Sequence, residues 1–191
     1  MPASRLGFLV LFALVALERS VELVLSRRHA RRAFARGGVR AESGGFYTLM
    51  VVTHALFLVA APLEVIGLGR PFLLGLGAPM LALALGAQAL RWWAAASLGP
   101  RWNTQVIVVP GDVAVTAGPY RYLRHPNYLA VLVESVALPL VHTAWISALV
   151  FGAANLALVR RRIAHEEAAL AHLADYRQQF GGRRRFLRGG A

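Results

Sequence analysis

The sequence contains no cysteine and no lysine, and it has few charged residues of any kind. Without cysteine, disulfide bonds and thiolate metal sites are excluded. Charged residues make up 16% of the 191 residues, whereas apolar residues make up 57%. This balance lies far from that of a soluble domain and is typical of a polytopic membrane protein.

The few charges present are strongly unbalanced, because 21 arginines face only 9 acidic residues and give a net charge of +12. Such an excess is also found in nucleic-acid-binding proteins, but here the arginines flank the apolar stretches. Attraction to anionic lipid headgroups is therefore the predicted role, and no nucleic-acid partner is expected.

The amino-terminal half of the chain contains three apolar stretches of about 20 residues, which is the length needed to cross a bilayer. The expected spans are 5–25, 46–66 and 72–96. No small-residue cleavage site follows the first, which we interpret as a retained helix. Length and the absence of repeats predict one domain over 1–191, with these spans in 1–97 and a polar loop, a hairpin and a terminal helix in 98–191.

The last apolar stretch, 128–159, is too long for one span and short for two, because as one helix it would extend about 48 Å. Arginine placement favours two spans. The segment 26–40 holds six arginines and is expected in the cytoplasm. A hairpin keeps the arginines at 160–162 on the same side. A break is expected near three residues in the middle: Pro139, His142 and Thr143.

These observations predict an all-α polytopic membrane bundle of about five transmembrane helices, with the amino terminus outside. The 98–124 loop and the carboxyl tail are then cytoplasmic, and a helix from Arg160 to about Tyr176 continues the fifth span. Most polar residues of the chain are therefore expected to lie on the cytoplasmic side of the membrane.

The segment GPYRYLRHPNY, beginning at Gly118, reads as an ordered loop that runs into the fourth span. Its two prolines bias the preceding residues away from helix, and Pro126 lies at a favoured first-turn position. A helix that starts after His125 offers free amide groups and a positive dipole end to an anion. The alternative is an interfacial loop whose tyrosines and arginines anchor in headgroups.

A second motif, RRRIAHEEAAL, places Arg162 and Glu166 four residues apart on one helix face. The alternative is a surface ion pair beside a positive-inside cluster. Because position 169 is alanine, the segment lacks the second histidine of a zinc-protease helix, and no metal site is expected. The segment GLGAPM is not a dinucleotide fingerprint either.

Other polar residues are weaker candidates. Asn103, Gln105 and Asp112 present amide and carboxylate groups in the 98–117 loop. Glu134 is an intramembrane carboxylate, which is either a functional residue or a structural one that hydrogen-bonds across the bundle. Arg91 is interpreted as a snorkelling side chain at the end of the third span. A mutual pairing is expected for three residues of the first span: Glu18, Arg19 and Glu22.

Taken together, GPYRYLRHPNY, a short helical hairpin and RxxxEExxL resemble the isoprenylcysteine carboxyl methyltransferase family of integral-membrane methyltransferases over about 98–175. The amino-terminal half, with ALERSVELVLSRRHARRAFARGG, resembles a bacterial branch linked to methylation of alkylresorcinols and alkylpyrones. The resemblance implies methyl transfer from S-adenosylmethionine to a hydroxyl or carboxyl group of a lipophilic acceptor from the bilayer. Prenylated cysteine as acceptor, an NADPH-dependent sterol-type reductase and a non-catalytic scaffold are the alternatives.

The resemblance also implies roles for individual residues. Arg162 would face the substrate and Glu166 would hold the cofactor, so these two are the candidate catalytic residues. Independently of the resemblance, Glu134 is a candidate for substrate contact because it is an intramembrane carboxylate. Asp112 stands where the eukaryotic enzymes carry a different polar residue. The implied cofactor contacts are Gln105, Asp112, Val113, Ala114, Val115, Tyr120, His125, Pro126, Asn127, Tyr128, Glu166 and Glu167.

Overall fold

The computed structural model describes residues 2–170, which form five α-helices and one two-stranded antiparallel sheet. The sheet joins the α1–α2 connection to the loop after α3, with Val39 opposite Val108 and Arg40 opposite Ile107. Two short 3-10 turns, Gly99–Arg101 and Gly118–Arg121, bracket that loop. The elements are α1 Ala3–Ala35, β1 Val39–Arg40, α2 Gly44–Gly67, α3 Leu74–Leu98, β2 Ile107–Val108, α4 Pro126–Leu140 and α5 Trp145–Leu170.

The core of the bundle combines aromatic rings with small residues. Phe8, Phe12 and Phe57 pack in series with tilted rings, whose centroids are 4.6 and 5.8 Å apart. Ala61 and Ala137 are almost fully buried beside them. Such small side chains let helices approach closely. Large apolar side chains face outward, as lipid-facing residues do, and examples are Leu14, Leu56, Leu63, Leu85 and Leu149.

The fold is mostly helical, as predicted apart from the small sheet, whereas the number of membrane crossings stays a prediction. Among the described residues, two helical segments are long and apolar enough to span a bilayer, Gly44–Gly67 and Leu74–Arg101, and Pro126–Leu140 is a shorter apolar helix. Helix α4 has 15 residues. Its length is therefore about 22 Å, less than the hydrocarbon thickness of about 30 Å. The orientation inferred from the arginines likewise remains a prediction.

The hairpin predicted within 128–159 is confirmed. Helix α4 ends at Leu140 and α5 begins at Trp145, and the turn between them contains Thr143 at a φ of 54°. Thr143 holds the turn by donating its hydroxyl to the Pro71 carbonyl at 2.7 Å. The break therefore falls at the expected residues, with Pro139 in the last turn of α4.

The first helix is longer than predicted. We expected it to end near Leu25 and a cytoplasmic loop to follow, but α1 continues to Ala35. Arginine and alanine are strong helix formers. The first glycine with a positive φ, a common way to end a helix, comes only at Gly37. At the other end of the chain, α5 runs without a break to Leu170, while the expected end near Tyr176 and the carboxyl tail lie outside the described residues.

Three of the bundle helices share a buried charge cluster formed by Arg19, Glu22, Arg91 and Glu134. Arg91 donates to both Glu22 carboxylate oxygens, at 2.8 and 2.7 Å, and Arg19 bridges Glu22 at 2.7 Å and Glu134 at 3.0 Å. The pairing of Arg19 with Glu22 is as expected. The snorkelling interpretation of Arg91 is wrong, because this side chain turns inward and only 7% of the residue is exposed.

The buried pair of Arg91 and Glu22 yields a prediction on stability. Arg91→Leu leaves the Glu22 carboxylate without its bidentate partner, so we expect the free energy of unfolding to fall by about 3–5 kcal/mol. Replacing both residues by leucine should recover much of this loss, because no unpaired charge is then buried. Unfolding of the detergent-solubilised protein measures both variants. Equal stability of Arg91→Leu and wild type would contradict the cluster.

Candidate functional site

The polar loop between α3 and α4 is held firmly against the helices. Asn103 accepts a hydrogen bond from the Ser26 hydroxyl at 2.7 Å and donates to the Ser26 carbonyl at 3.2 Å. The backbone N–H of Val106 donates to Glu42, and β2 pairs with β1. The loop before GPYRYLRHPNY is therefore fixed to α1 and to the α1–α2 connection by hydrogen bonds.

Gly118 opens the GPYRYLRHPNY segment in a conformation that favours glycine. Its φ is positive, and a Cβ atom at this position would overlap the Ser97 hydroxyl oxygen. The segment then makes a 3-10 turn that buries Tyr120. Burial and, to a lesser extent, the Glu166 carboxylate raise the pKa of Tyr120 far above its usual range. This phenol therefore stays neutral at physiological pH.

Helix α4 begins at Pro126 with His125 as its N-cap, as the sequence predicts. The His125 ring stacks on Tyr128 with centroids 5.5 Å apart. His125 Nε2 lies 3.1 Å from Glu167 Oε1, and Nδ1 lies 3.8 Å from Glu166 Oε2. The first turn of α4 is thereby attached to the last turns of α5.

Tyr128 connects the two charged residues of the RRRIAHEEAAL motif. Its hydroxyl donates to Glu166 Oε2 at 2.5 Å and accepts from Arg162 Nε at 2.9 Å. Arg162 and Glu166 stand one helical turn apart, so the first turn of α4 can meet both. The result is a connected row of guanidinium, phenol and carboxylate.

Arg162 is a buried residue with an exposed fraction of 5%, so the alternative of a surface ion pair is wrong. Its Nη2 donates to the Thr104 carbonyl and lies 3.7 Å from the Glu42 carboxylate, and its Nη1 lies 3.1 Å from the Met50 sulfur. Sequence reasoning missed Glu42, although an acidic residue in a strongly basic connection was a usable signal.

Two adjoining cavities meet at this row. The loop cavity, of about 180 Å³, lies under the polar loop, and the helix cavity, of about 340 Å³, extends between the helices. The helix cavity has mainly apolar walls, which include Ala16, Leu23, Val51, Ala55, Leu58, Val131 and Val159. The wall shared by both cavities includes Asn103, Tyr120, Arg124, His125, Tyr128, Arg162 and Glu166.

The expected cofactor contacts fall mostly at these cavities. Gln105 and the segment 112–115 line the loop cavity, and Asn127 lines the helix cavity. Gln105 Oε1 and Asn127 Oδ1 are buried and have no hydrogen-bond partner within residues 2–170. Pro126 and Glu167 line neither cavity; the first is the helix start and the second is a partner of His125.

Two residues that were expected to contact a cofactor or a substrate form ion pairs within the protein instead. The Asp112 carboxylate lies 2.6 Å from Arg36 Nη2 and 3.7 Å from Arg101 Nε, so ion pairs occupy it at the loop cavity. Glu134 lines neither cavity and joins the buried charge cluster through Arg19.

In the part of the chain that the structure describes, no group of three or more His, Cys, Asp or Glu side chains could hold a metal ion.

Comparison with known proteins gives one family match and two uncharacterized relatives. Residues 80–172 match the family model described as the isoprenylcysteine carboxyl methyltransferase (ICMT) family. The chain is 33% identical over 165 residues to the uncharacterized protein YpbQ of Bacillus subtilis, covering 85% of this chain and 96% of the relative. It is also 27% identical over 169 residues to an uncharacterized protein of Haemophilus influenzae, covering 86% and 95% of the two chains.

Proposed function

The chain belongs to the isoprenylcysteine carboxyl methyltransferase family of membrane methyltransferases, and on that premise we propose that it methylates a lipophilic acceptor with S-adenosylmethionine. One observation carries the proposal. A loop cavity lined by several charged and amide side chains and a mainly apolar cavity between the helices share one wall, and that wall holds Tyr128, Arg162 and Glu166. A transferase with one polar and one lipophilic substrate needs such an arrangement.

The residues of the loop cavity fit S-adenosylmethionine. The buried, unpartnered oxygen of Gln105 can accept from an amine or a hydroxyl, and the Asn127 oxygen offers the same on the other side of the shared wall. The first turn of α4 has amide groups without intrahelical partners, which suit a carboxylate. Glu166 can bind ribose hydroxyls or an amino group. Ala114 and Val115 supply apolar wall.

S-adenosylmethionine, when bound, supplies an electrophilic methyl group on a sulfonium. The protein mainly has to align the acceptor and exclude water, and positioning of this kind contributes up to about 7–11 kcal/mol. Arg162 can hold an acceptor oxygen in its anionic form by a charge-assisted hydrogen bond. Tyr128 keeps the Arg162 guanidinium and the Glu166 carboxylate in one row, so both cavities are organised together.

The acceptor we propose is a lipid with a phenolic hydroxyl or a carboxyl group, of the alkylresorcinol or alkylpyrone type. Support comes from the apolar walls of the helix cavity and from the buried guanidinium of Arg162 at the shared wall. Such an acceptor can enter from the bilayer with its alkyl chain among the helices.

We further propose that the carboxyl-terminal end of α1 lies on anionic lipid. Its last three turns expose Arg27, Arg28, Arg31 and Arg32. Each arginine near an anionic membrane surface contributes on the order of 1 kcal/mol of attraction.

Binding of the cofactor is the direct test. We expect the purified protein to bind S-adenosylmethionine or its demethylated product with a dissociation constant of roughly 1 µM, which corresponds to about 8 kcal/mol. Isothermal titration calorimetry in detergent measures it, with NADPH as the matched control ligand. Binding of NADPH together with no binding of S-adenosylmethionine would favour the reductase and refute the proposal.

A further inference from the structure

A chamber of about 30 Å³ lies beside the helix cavity, between α1, α2, α3, α4 and α5. Two buried oxygens at this chamber, Glu134 Oε1 and Asn155 Oδ1, have no hydrogen-bond partner among the residues that the structure describes. The exposed fractions of these residues are 7% and 2%. Buried polar atoms without a partner are rare and costly in native proteins, so both oxygens require a ligand group or a water molecule.

The neighbouring side chains are already engaged. Arg19 and Arg91 line the chamber, but their guanidinium groups donate to Glu22, Gln88 and the other Glu134 oxygen. His54 also lines it, with Nδ1 2.8 Å from the Met50 carbonyl. A carbonyl only accepts, so Nδ1 carries the proton and a neutral His54 leaves Nε2 as a further acceptor.

The chamber therefore offers acceptors and requires a donor. Its volume suits one oxygen atom, because a water molecule needs about 10–15 Å³ on this measure. Asn155 lines the helix cavity as well as the chamber, so a molecule in the helix cavity can reach its amide. Asn155 precedes Arg162 on α5 by two helical turns, which place the two residues on one face about 10 Å apart.

We propose that Asn155 provides a second polar subsite of the helix cavity: its amide oxygen accepts the single proton of a hydroxyl group of the lipophilic acceptor, distinct from the oxygen that is methylated, while a water molecule in the chamber serves the Glu134 oxygen. This deepens the proposed function and rests on it, since the helix cavity is taken as the acceptor site. The acceptor class is then a lipid with two polar groups on its head. Removal of either the hydroxyl or the Asn155 oxygen leaves a buried group unpaired, which produces selectivity.

The test compares a resorcinol and a phenol that carry the same long alkyl chain, so the probes differ by one hydroxyl. Binding of each to the purified protein in detergent is measured by calorimetry, and methyl transfer to each is measured separately. We expect wild type to bind the resorcinol on the order of 10- to 100-fold more tightly. Asn155→Leu, which removes the amide at similar volume, should reduce that ratio to about 1, whereas S-adenosylmethionine affinity stays unchanged.

Leu158→Ala is the matched control, because Leu158 lines the same cavity without a polar group, and its resorcinol-to-phenol ratio should equal that of wild type. A wild-type ratio near 1, or an Asn155→Leu ratio equal to wild type, would overturn the subsite and leave a buried water as the partner of both oxygens. Selective binding without any methyl transfer would instead contradict the proposed function while the subsite stands.

Discussion

Arg162→Leu is expected to lower methyl transfer by on the order of 100- to 1000-fold while S-adenosylmethionine affinity stays within about threefold of wild type. Losing one group that stabilises a developing or bound oxyanion has this magnitude. Arg162 is the buried guanidinium of the shared cavity wall, and its hydrogen bonds to Tyr128 and Thr104 fix its direction. The assay is turnover of labelled S-adenosylmethionine, with cofactor affinity measured by calorimetry.

Two further variants separate this role from folding. Arg162→Lys keeps the charge but loses the planar fork, so we expect only partial activity. Arg161→Leu is the matched control, because Arg161 is exposed on the neighbouring position and its guanidinium lies over the Phe46 ring, 5.5 Å from the centroid. It should retain wild-type turnover. Equal losses in Arg161→Leu and Arg162→Leu would refute a specific role for Arg162.

Glu166→Gln is expected to raise the dissociation constant for S-adenosylmethionine about 10- to 150-fold. A hydrogen bond to a charged group contributes roughly 1.5–3 kcal/mol, and the amide cannot supply the same acceptor strength. Glu166 lies at both cavities and already accepts from Tyr128 at 2.5 Å, so its carboxylate is held in place before any ligand binds. Calorimetry with the variant measures the change directly.

Glu18→Gln is the control for this experiment. Glu18 is a partly buried carboxylate of α1 that lines neither the loop cavity nor the helix cavity. Its substitution should leave cofactor affinity unchanged. If Glu166→Gln retained wild-type affinity, Glu166 would belong to the structural attachment between α4 and α5 and not to the cofactor site.

The helical hairpin and the start of α4 could be predicted because each depends on local rules. The stretch 128–159 is too long for one span, and arginine placement favours two crossings within it. Pro126 fits the first turn of a helix. The motif GPYRYLRHPNY and the pair of Arg162 and Glu166 also meet in the structure as their resemblance to the family implied. The hairpin and the helix start need little knowledge of how distant segments pack, whereas the meeting of the two motifs was implied by the resemblance alone.

The errors concern features that depend on packing between distant segments. Arg91 looks like a snorkelling residue in sequence, because only the bundle brings Glu22 of α1 next to it. Glu42 stands out in sequence as an acidic residue in a basic connection, but it has no recognisable spacing relative to Arg162, so its contact with Arg162 follows only from the packing of the β1–β2 region. The predicted end of α1 is wrong because hydropathy falls near Leu25 although the helix continues.

The most direct test of the central claim is to incubate the purified protein with methyl-labelled S-adenosylmethionine and a lipid extract, and then to locate the label. We expect label in the lipid fraction, attached to a hydroxyl or carboxyl oxygen, and near-background label with Arg162→Leu. No lipid label with the wild-type protein, or equal label with both proteins, would contradict it.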